Sequence, residues 1–335
     1  MNPKLKVISD GRRGWFNRSD VLAAGYSDAE LRRRLRGGQW IRLGRDAFVE
    51  HSGWPEDEKP WDRARRLHLL AIRAVTDQLD KVVVSHQSAA VLHGLPIWGF
   101  DLGKVHVSRS TGRVRSGATL AVHRSPLDPD EVTELDGIRV TTVERAITET
   151  ACGTSFEVGV VLADAALRAG LTSPELLIAT ADRHRHWRGS PAARSAVRFA
   201  DGLSESVGES RLRVLMDNHQ LPAPSLQVEI RANSGELIGR VDFLLSGRLI
   251  VEFDGAQKYG DSADTIVAEK WREDRLRDRG YGVVRVSWPD LDQPRITAAR
   301  LHRHLLSGEP GHANLGHEPG TSDIWSDVRG PREMS

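Results

Sequence analysis

The chain has 335 residues, of which 39% are hydrophobic and 28% charged, and its formal net charge is +1. This length favours two or three domains, each able to bury a hydrophobic core. A net charge near zero excludes a polycation that coats nucleic acid with its whole surface, so any DNA-binding surface must be local. A single cysteine, Cys152, excludes internal disulfides and cysteine-rich zinc sites and favours a reducing compartment.

Targeting segments are not evident in the sequence. The first residues, MNPKLKVISDGRR, lack the apolar core of a signal peptide, and no apolar run approaches the roughly 18 residues of a membrane helix. We therefore expect a cytoplasmic protein without a membrane partner. The expected fold class is α/β, in a multidomain α+β arrangement. We divide the chain into residues 1–50, 61–200 and 201–306 and a tail, 307–335, whose Gly-, Pro- and His-rich composition predicts disorder.

Residues 1–50 have the pattern of a winged helix-turn-helix. A short helix ends at Gly25, and Ser27 and Glu30 form a capping box that starts a second helix. Two short apolar runs around a Gly-Arg-Asp turn then predict a β-hairpin over 40–50. The order helix, turn, helix, hairpin is typical of winged helices that bind DNA.

Arginine is concentrated in this N-terminal unit. Guanidinium groups clamp phosphates and bind the edge of guanine, so a run of them on the second helix and the hairpin predicts a DNA surface. The alternative is a solvated arginine face, as many charge runs are. The candidate DNA-binding residues are Arg32, Arg33, Arg34, Arg36, Arg42 and Arg45.

Residues 61–200 predict a mixed α/β region. His86 and His93 in this region are two helical turns apart and can share one helix face. We interpret both as structural, because zinc normally takes three or four protein ligands and no third histidine or acid lies close to them in the sequence. The expected elements are helices over 61–79, 86–93, 155–170, from 173 and over 191–200, and strands at 82–85, 104–108, 119–124 and 138–141.

Residues 201–306 predict a third unit with a mixed sheet flanked by helices. A strand, a long helix and a strand in succession imply a parallel pair, which here adjoins an antiparallel hairpin. The expected helices span 207–219, 264–279 and 295–306, and the expected strands span 226–232, 240–246, 248–254 and 281–288.

Acidic residues interrupt the apolar hairpin of this third unit. Asp242, Glu252 and Asp254 occupy strand positions that would otherwise be core, and a carboxylate is costly to desolvate without a metal, a partner or water. The loop length decides which acids meet. A two-residue turn at 246–247 separates Asp242 from Glu252, whereas a three-residue loop at 246–248 pairs them. A metal site on this hairpin therefore requires the longer loop.

Converging acids would provide oxygen ligands for Mg²⁺ or Mn²⁺. The ion would lower the pKa of a bound water and stabilise the charge that builds on a scissile phosphate. Glu209, on the helix that starts the unit, could add a ligand, and Lys258 or Lys270 could orient the water. The alternatives are that Glu209 forms a capping box with Ser206 and that the lysines are solvated.

Four segments of the third unit, 208–215, 239–245, 250–259 and 269–288, carry a resemblance. They resemble uncharacterised domains related to very-short-patch-repair endonucleases, a branch of the PD-(D/E)xK superfamily. The resemblance implies that Asp242 and Glu252 are metal ligands, that Glu209 is the helix-borne acid, and that DNA is the substrate.

The sequence departs from that superfamily at one position. The superfamily has lysine two residues after the second acid, where this chain has Asp254. Lys258 or Lys270 would then have to replace that lysine. The departure therefore leaves open whether the domain cleaves DNA or has kept only the fold.

The N-terminal half carries a second resemblance. Residues 14–50, and more loosely 61–180, are similar to the N-terminal part of AbiEi-type antitoxins of bacterial type IV toxin–antitoxin systems, and the segments that carry the similarity are 18–50 and 83–96. This implies winged-helix binding to DNA and a cognate toxin as a partner. Two hypotheses follow: a metal-dependent endodeoxyribonuclease with its own DNA-binding unit, and an antitoxin or transcriptional regulator whose nuclease fold only binds.

Overall fold

A computed structural model describes residues 1–111, 115–255 and 263–307 of the chain. It is a mixed α/β structure, and the described residues contain sheets of two, five and four strands in chain order. No helix in these ranges combines the length and the apolar character needed to cross a bilayer. The predicted tail beyond residue 307 and Lys258 both lie outside the described residues.

The first unit has three helices and a hairpin. Helix α2 begins with a capping box between Asn17 and Asp20, and α3 begins with the predicted capping box between Ser27 and Glu30. Phe16, which precedes α2, pairs with Phe48 of the hairpin and so joins it to the helices. The elements are α1 (Pro3–Gly11), α2 (Arg18–Ala23), α3 (Asp28–Arg36), β1 (Trp40–Gly44) and β2 (Ala47–Glu50).

Buried aromatic rings form the centre of this unit. Phe16 and Trp40 are almost fully buried and meet edge to face, with ring centroids 4.9 Å apart. Leu5 of α1 is fully buried in the same cluster. Because α1 supplies this leucine and little other apolar surface, its position depends on the rest of the unit.

The middle unit is built on a sheet with the strand order β5-β4-β3-β7-β6. Strand β3 runs parallel to β7 and antiparallel to β4, while β4 and the edge strand β5 are parallel. The strands are β3 (Val83–Val84), β4 (Val105–Arg109), β5 (Leu120–Arg124), β6 (Val132–Leu135) and β7 (Ile138–Thr141).

Helices cover this sheet and continue into a helical layer. Val84, Val107 and Val140 from three neighbouring strands are fully buried together with Ile72 of the first helix. The helices are α4 (Pro60–Gln78), α5 (His86–Leu92), α6 (Val143–Gly153), α7 (Phe156–Arg168), α8 (Pro174–Arg183) and α9 (Ser190–Phe199).

The third unit contains a four-stranded sheet in the order β11-β10-β9-β8. As predicted, β10 pairs antiparallel with β9 and parallel with β11 across the intervening helix. The elements are α10 (Val207–Asn218), β8 (Ser225–Arg231), β9 (Leu237–Leu245), β10 (Leu249–Asp254), α11 (Ala263–Asp278), β11 (Gly282–Ser287), α12 (Trp288–Leu291) and α13 (Pro294–Ser307).

Successive residues of β10 face opposite layers, as strand geometry requires. Val251 packs with Leu212 of α10 and Leu301 of α13, whereas Ile250 packs with Leu276 of α11. The sheet is therefore covered on both faces. By the same alternation Glu252 belongs to the α11 side.

A buried ion pair joins the third unit to the middle one. Arg213 of α10 donates to both carboxylate oxygens of Asp164 on α7, at 2.9 Å each, and to the carbonyl oxygen of Phe199 at 2.8 Å. Both charged side chains are less than a tenth exposed. This pair fixes the start of α10, which carries Glu209, against the middle unit.

Candidate functional site

The hairpin that carries the acids has the longer of the two loops considered. Leu245 pairs with Leu249 and Phe243 with Val251, which leaves residues 246–248 between the strands. Both Ser246 and Gly247 in this loop have positive φ, +50° and +68°. The three-residue loop that the metal-site hypothesis requires is therefore confirmed. Asp242 and Glu252 are the next residues along the two paired strands.

Backbone pairing opens around Asp242. On β8, Gln227 lies between two residues that pair with β9, yet it has a φ of +51° and forms no pair. Towards β10, a carboxylate oxygen of Asp242 accepts a hydrogen bond from the N–H of Phe253 at 2.8 Å. A non-glycine residue at positive φ costs about 1–3 kcal/mol, and such strain is concentrated at functional sites. The opening exposes carboxylate and backbone groups in the middle of a sheet.

Glu209 reaches the same place from the first turn of α10. Ser206 caps the helix by accepting the N–H of Glu209 at 3.1 Å, as the capping alternative predicted. The Glu209 carboxylate also accepts hydrogen bonds from the Glu205 N–H at 2.8 Å and from Gln227 Nε2 at 3.0 Å. Burial raises the pKa of Glu209, and the charge of Asp242 raises it further. Capping and membership of the acidic site therefore coexist.

Gly208 allows α10 to approach this close to β10. A Cβ atom at this position would lie 1.9 Å from an edge carbon of the Phe253 ring and within 2.4 Å of two more ring atoms. Real carbon atoms do not approach so closely, so a larger residue here would push α10 and β10 apart. The glycine thus sets the distance between the helix-borne acid and the strand-borne acids.

Glu252 is held by an arginine of α11. One carboxylate oxygen accepts a hydrogen bond from Arg272 at 2.7 Å, and the side chain is only 13% exposed. Burial raises the pKa of Glu252 despite this partner, and the charge of Asp242 again contributes. Asp242 therefore lies within electrostatic range of Glu209 and also of Glu252, although α10 and α11, the helices next to these two acids, cover opposite faces of the sheet.

Asp254 and Lys270 lie at the margin of this region. Asp254 is the exposed last residue of β10 and aligns with Ser287 of β11. Lys270 is exposed on α11, and within the described ranges it forms no ion pair with the three acids. The cation that touches Glu252 is Arg272 of α11.

The acids are near one another without forming a closed set of ligands. In the described part of the chain, one group of three or more His, Cys, Asp or Glu side chains brings its ligand atoms within 4.8 Å of one another, and it contains none of these acids. A cation that bound Glu252 would have to displace Arg272.

The N-terminal arginines divide into two groups. Arg34 is half-buried, and its guanidinium lies 5.0 Å from the ring centre of Tyr26 and 5.2 Å from that of Trp40, so it stabilises the unit itself. Arg33 is exposed and lies 3.8 Å from Glu30. No described carboxylate pairs with the other four, which are exposed: Arg32, Arg36, Arg42 and Arg45.

The compact group of possible metal ligands consists of His86, His106 and His123. Sequence reasoning compared His86 with His93, but the His93 ring bonds to the carbonyl oxygen of Thr141 at 2.8 Å. No third histidine lies near His86 in the sequence, but His106 and His123 lie near it in the structure. No local spacing signals this group, because its members come from three elements that are distant in the sequence.

Comparison with known proteins gives relatives without an assigned activity. No protein-family model matches the chain. Two curated relatives come from Mycobacterium tuberculosis: uncharacterized protein MT2308 of strain CDC 1551 / Oshkosh and uncharacterized protein Rv2248 of strain ATCC 25618 / H37Rv. Each is 29% identical over 240 residues, which cover 68% of this chain and 84% of the relative. The chain is thus similar to mycobacterial proteins whose names state no function.

Proposed function

We propose that this chain is a DNA-binding protein whose C-terminal unit hydrolyses DNA phosphodiester bonds with Mg²⁺ or Mn²⁺. The observation that carries the proposal is the position of Asp242 where the pairing of the sheet opens, next along the strands to Glu252 and beside Gln227, which bonds to Glu209. A hard cation placed between these oxygens would keep several waters and bind a substrate phosphate. It would supply a more acidic water and stabilise the charge that develops on the phosphate.

The pKa shifts support this assignment. Burial raises the pKa of Glu209 and of Glu252, the negative charge of Asp242 raises both further, and such shifts are concentrated at functional sites. A divalent cation would relieve this repulsion, so its binding is favoured by the same charges that destabilise the site without it. Of the two predicted lysines, Lys270 is exposed on the helix that carries Arg272 and could reach a phosphate bound beside Glu252.

We assign DNA docking to the N-terminal unit, as a winged helix. Its support is the order of three helices and a hairpin, together with exposed arginines on α3 and on the hairpin. The proposed contacts are Arg32, Arg33, Arg36, Arg42 and Arg45, without the half-buried Arg34. A cytoplasmic location fits this proposal, because DNA and a lone, reduced Cys152 are both compatible with that compartment.

One observation favours a second candidate function. Arg272 already neutralises Glu252, and Asp254 occupies the position where the superfamily has lysine. If no metal displaces Arg272 from Glu252, the chain would be a DNA-binding regulator or antitoxin, with a cognate toxin as its partner. Its C-terminal unit would then bind DNA or protein without cleaving.

Cleavage of plasmid DNA separates the two candidates. We expect the full chain to nick or linearise supercoiled plasmid with Mn²⁺, and Asp242→Ala and Glu252→Ala to abolish this. Glu229→Ala is the matched control, because Glu229 is an exposed acid of the same sheet whose carboxylate pairs with Arg231. Absence of cleavage by the wild type, or cleavage that survives both substitutions, would contradict the nuclease proposal. Either result would favour the regulator or antitoxin.

Salt dependence of DNA binding tests the N-terminal surface independently. Each phosphate contact that is lost should reduce the slope of log K against log salt concentration by about 0.9. We expect replacement of Arg32, Arg33 and Arg36 by alanine to weaken binding and flatten this slope. An equal loss of charge in the middle unit should change the slope little. An unchanged slope in the variant of the three α3 arginines would refute the docking surface. The control replaces three exposed arginines of the middle unit, Arg124, Arg139 and Arg185.

A further inference from the structure

Three histidine rings meet at one edge of the middle sheet. His106 lies on β4, His123 lies on the edge strand β5, and His86 is the first residue of α5. The parallel register aligns His123 with Ser108, so His106 and His123 are diagonal neighbours on adjacent strands. Each ring offers a nitrogen, and these nitrogens lie within 4.8 Å of one another.

The contacts between the rings are close. His106 Nδ1 lies 3.0 Å from His123 Nε2, and the rings of His86 and His123 stack with centroids 3.6 Å apart. Two nitrogens that bind one tetrahedral zinc ion at 2.0–2.1 Å are themselves roughly 3.4 Å apart. The His106–His123 contact is a nitrogen–nitrogen hydrogen bond, and a metal ion would have to replace the proton that it contains. The spacing of these two nitrogens is already close to that of two ligands of one ion.

We propose that His86, His106 and His123 form a binding site for a transition-metal ion, with Zn²⁺ as the preferred ion. Three protein ligands with one position left for water or another small ligand is the arrangement of open zinc sites. Imidazole nitrogen suits zinc and its neighbours in the first transition series, whereas carboxylate oxygen suits Mg²⁺ and Mn²⁺. The site is therefore distinct from the acidic cluster in place and in chemistry.

The surroundings of His86 are those of an oriented ligand. Its Nδ1 lies 3.0 Å from Ser85 Oγ and 3.5 Å from a carboxylate oxygen of Glu149. The same oxygen accepts the backbone N–H of His86 at 3.0 Å, which holds the residue at a φ of +53°. We place the ring proton on Nδ1, towards these oxygens, so that Nε2 keeps its lone pair. Metal-bound histidines commonly have such an acidic partner on the second nitrogen.

That acidic partner is itself fixed. Glu149 accepts a hydrogen bond from Nε of the fully buried Arg145 at 3.0 Å.

A cavity of about 310 Å³ adjoins the three rings. Glu149, Cys152 and Arg188 also line it, and Arg188 is exposed. A fourth ligand could therefore reach the ion from this side. Cys152 borders the cavity without belonging to the compact group, so the ligand set is three nitrogens.

Metal analysis of the full chain tests the site. The protein should be purified without a histidine tag, stripped with chelator and titrated with Zn²⁺. We expect one tightly bound Zn²⁺ per chain, and at least about 100-fold weaker binding in His106→Ala and in His123→Ala. His93→Gln is the matched control and should bind normally, because His93 caps the end of the helix that His86 begins and its ring bonds to the Thr141 carbonyl oxygen instead. No stoichiometric Zn²⁺, or unchanged affinity in both ligand variants, would overturn the proposal.

A measurement on the wild type covers the case in which a variant misfolds. X-ray absorption of the Zn²⁺-loaded chain should give three imidazole ligands and no sulfur. The tail contains His312 and His317, so a His312→Ala/His317→Ala variant must give the same spectrum. Fewer than three imidazoles, a sulfur ligand, or a spectrum that changes in the tail variant would contradict the site. Asp242→Ala should leave Zn²⁺ binding intact, which keeps this result independent of nuclease activity.

Discussion

Replacing Gly208 with alanine should test how α10 is placed against β10. The added Cβ would lie 1.9 Å from the Phe253 ring, whereas carbon atoms pack at about 3.5 Å, so helix or ring must move by roughly 1.5 Å. Neither moves freely. Arg213 anchors α10 to Asp164, and the Phe253 ring meets Trp288 edge to face with centroids 5.2 Å apart.

The expected cost follows from two opposing effects. Overpacking a filled core costs about 1–3 kcal/mol, and the restraints on both sides favour the upper end of that range. Alanine is the better helix former by about 1 kcal/mol, which offsets part of the cost. We therefore expect Gly208→Ala to lower the free energy of unfolding by about 2 kcal/mol and to reduce DNA cleavage, because Glu209 moves away from the strand acids.

A double-mutant cycle in urea measures this effect. Phe253→Val removes the three ring atoms that the new methyl would meet, so alanine at position 208 should cost much less in that background. The coupling energy should be at least about 1 kcal/mol, as expected for residues in contact. The free energy of unfolding of Gly208→Ala could lie within about 0.5 kcal/mol of the wild-type value, or the effects of Gly208→Ala and Phe253→Val could be additive. Either result would contradict the close approach of α10 to β10.

Two further predictions concern the middle unit. Arg145→Met should lower stability by about 3–5 kcal/mol, measured by urea unfolding, because it removes the buried cation that Glu131 and Glu149 share and leaves Glu131 with Arg183 and His184 alone. A loss below 1 kcal/mol would contradict this. His68 is 3% exposed, and burial lowers its pKa to about 4 from 6.5. Between those pH values the unfolded chain binds a proton that the folded chain does not, so stability should fall by up to about 3 kcal/mol as pH decreases from 6.5 to 4. When a chelator is present to remove metal, the stability of His68→Gln should lack this part of the pH dependence. A pH profile of stability equal to that of the wild type would refute the prediction.

Local signals in the sequence predicted most helices and strands. Ser27 and Glu30 cap α3 as expected, and the apolar periods gave β7 and α10 to within a residue. Such features succeed because caps and periodicity depend on a few neighbouring residues. The sequence did not decide whether Asp242 lies opposite Glu252. It allowed two loop lengths, and only the observed strand pairing selects one of them.

The elements that were missed lack local patterns. Helix α1 is held by one fully buried leucine, Leu5, and by the cap at Asn2, too little for a periodic signal. Strand β6 has no alternation of buried and exposed residues and exists because it pairs with β7 at the sheet edge. Tertiary pairing of this kind overrides propensity.

The site shows the same division. The acids of the hairpin were predicted because they interrupt a short apolar pattern. The ion pair of Arg272 with Glu252 depends on how α11 packs over the sheet, so a sequence can place the arginine on the helix but not its partner. His106 and His123 meet only through strand pairing, which no spacing in the sequence predicts.

Asp242→Asn provides the most direct test of the central claim that the acidic cluster binds a metal and hydrolyses DNA. The asparagine has the same shape and can still accept the hydrogen bond from the Phe253 N–H, so the hairpin should stay intact while the charge is lost. The decisive measurement is the rate of plasmid nicking with Mn²⁺. We predict nicking by the wild type and a loss of at least about 100-fold in Asp242→Asn. Equal rates in the two proteins, or no nicking by the wild type, would contradict it.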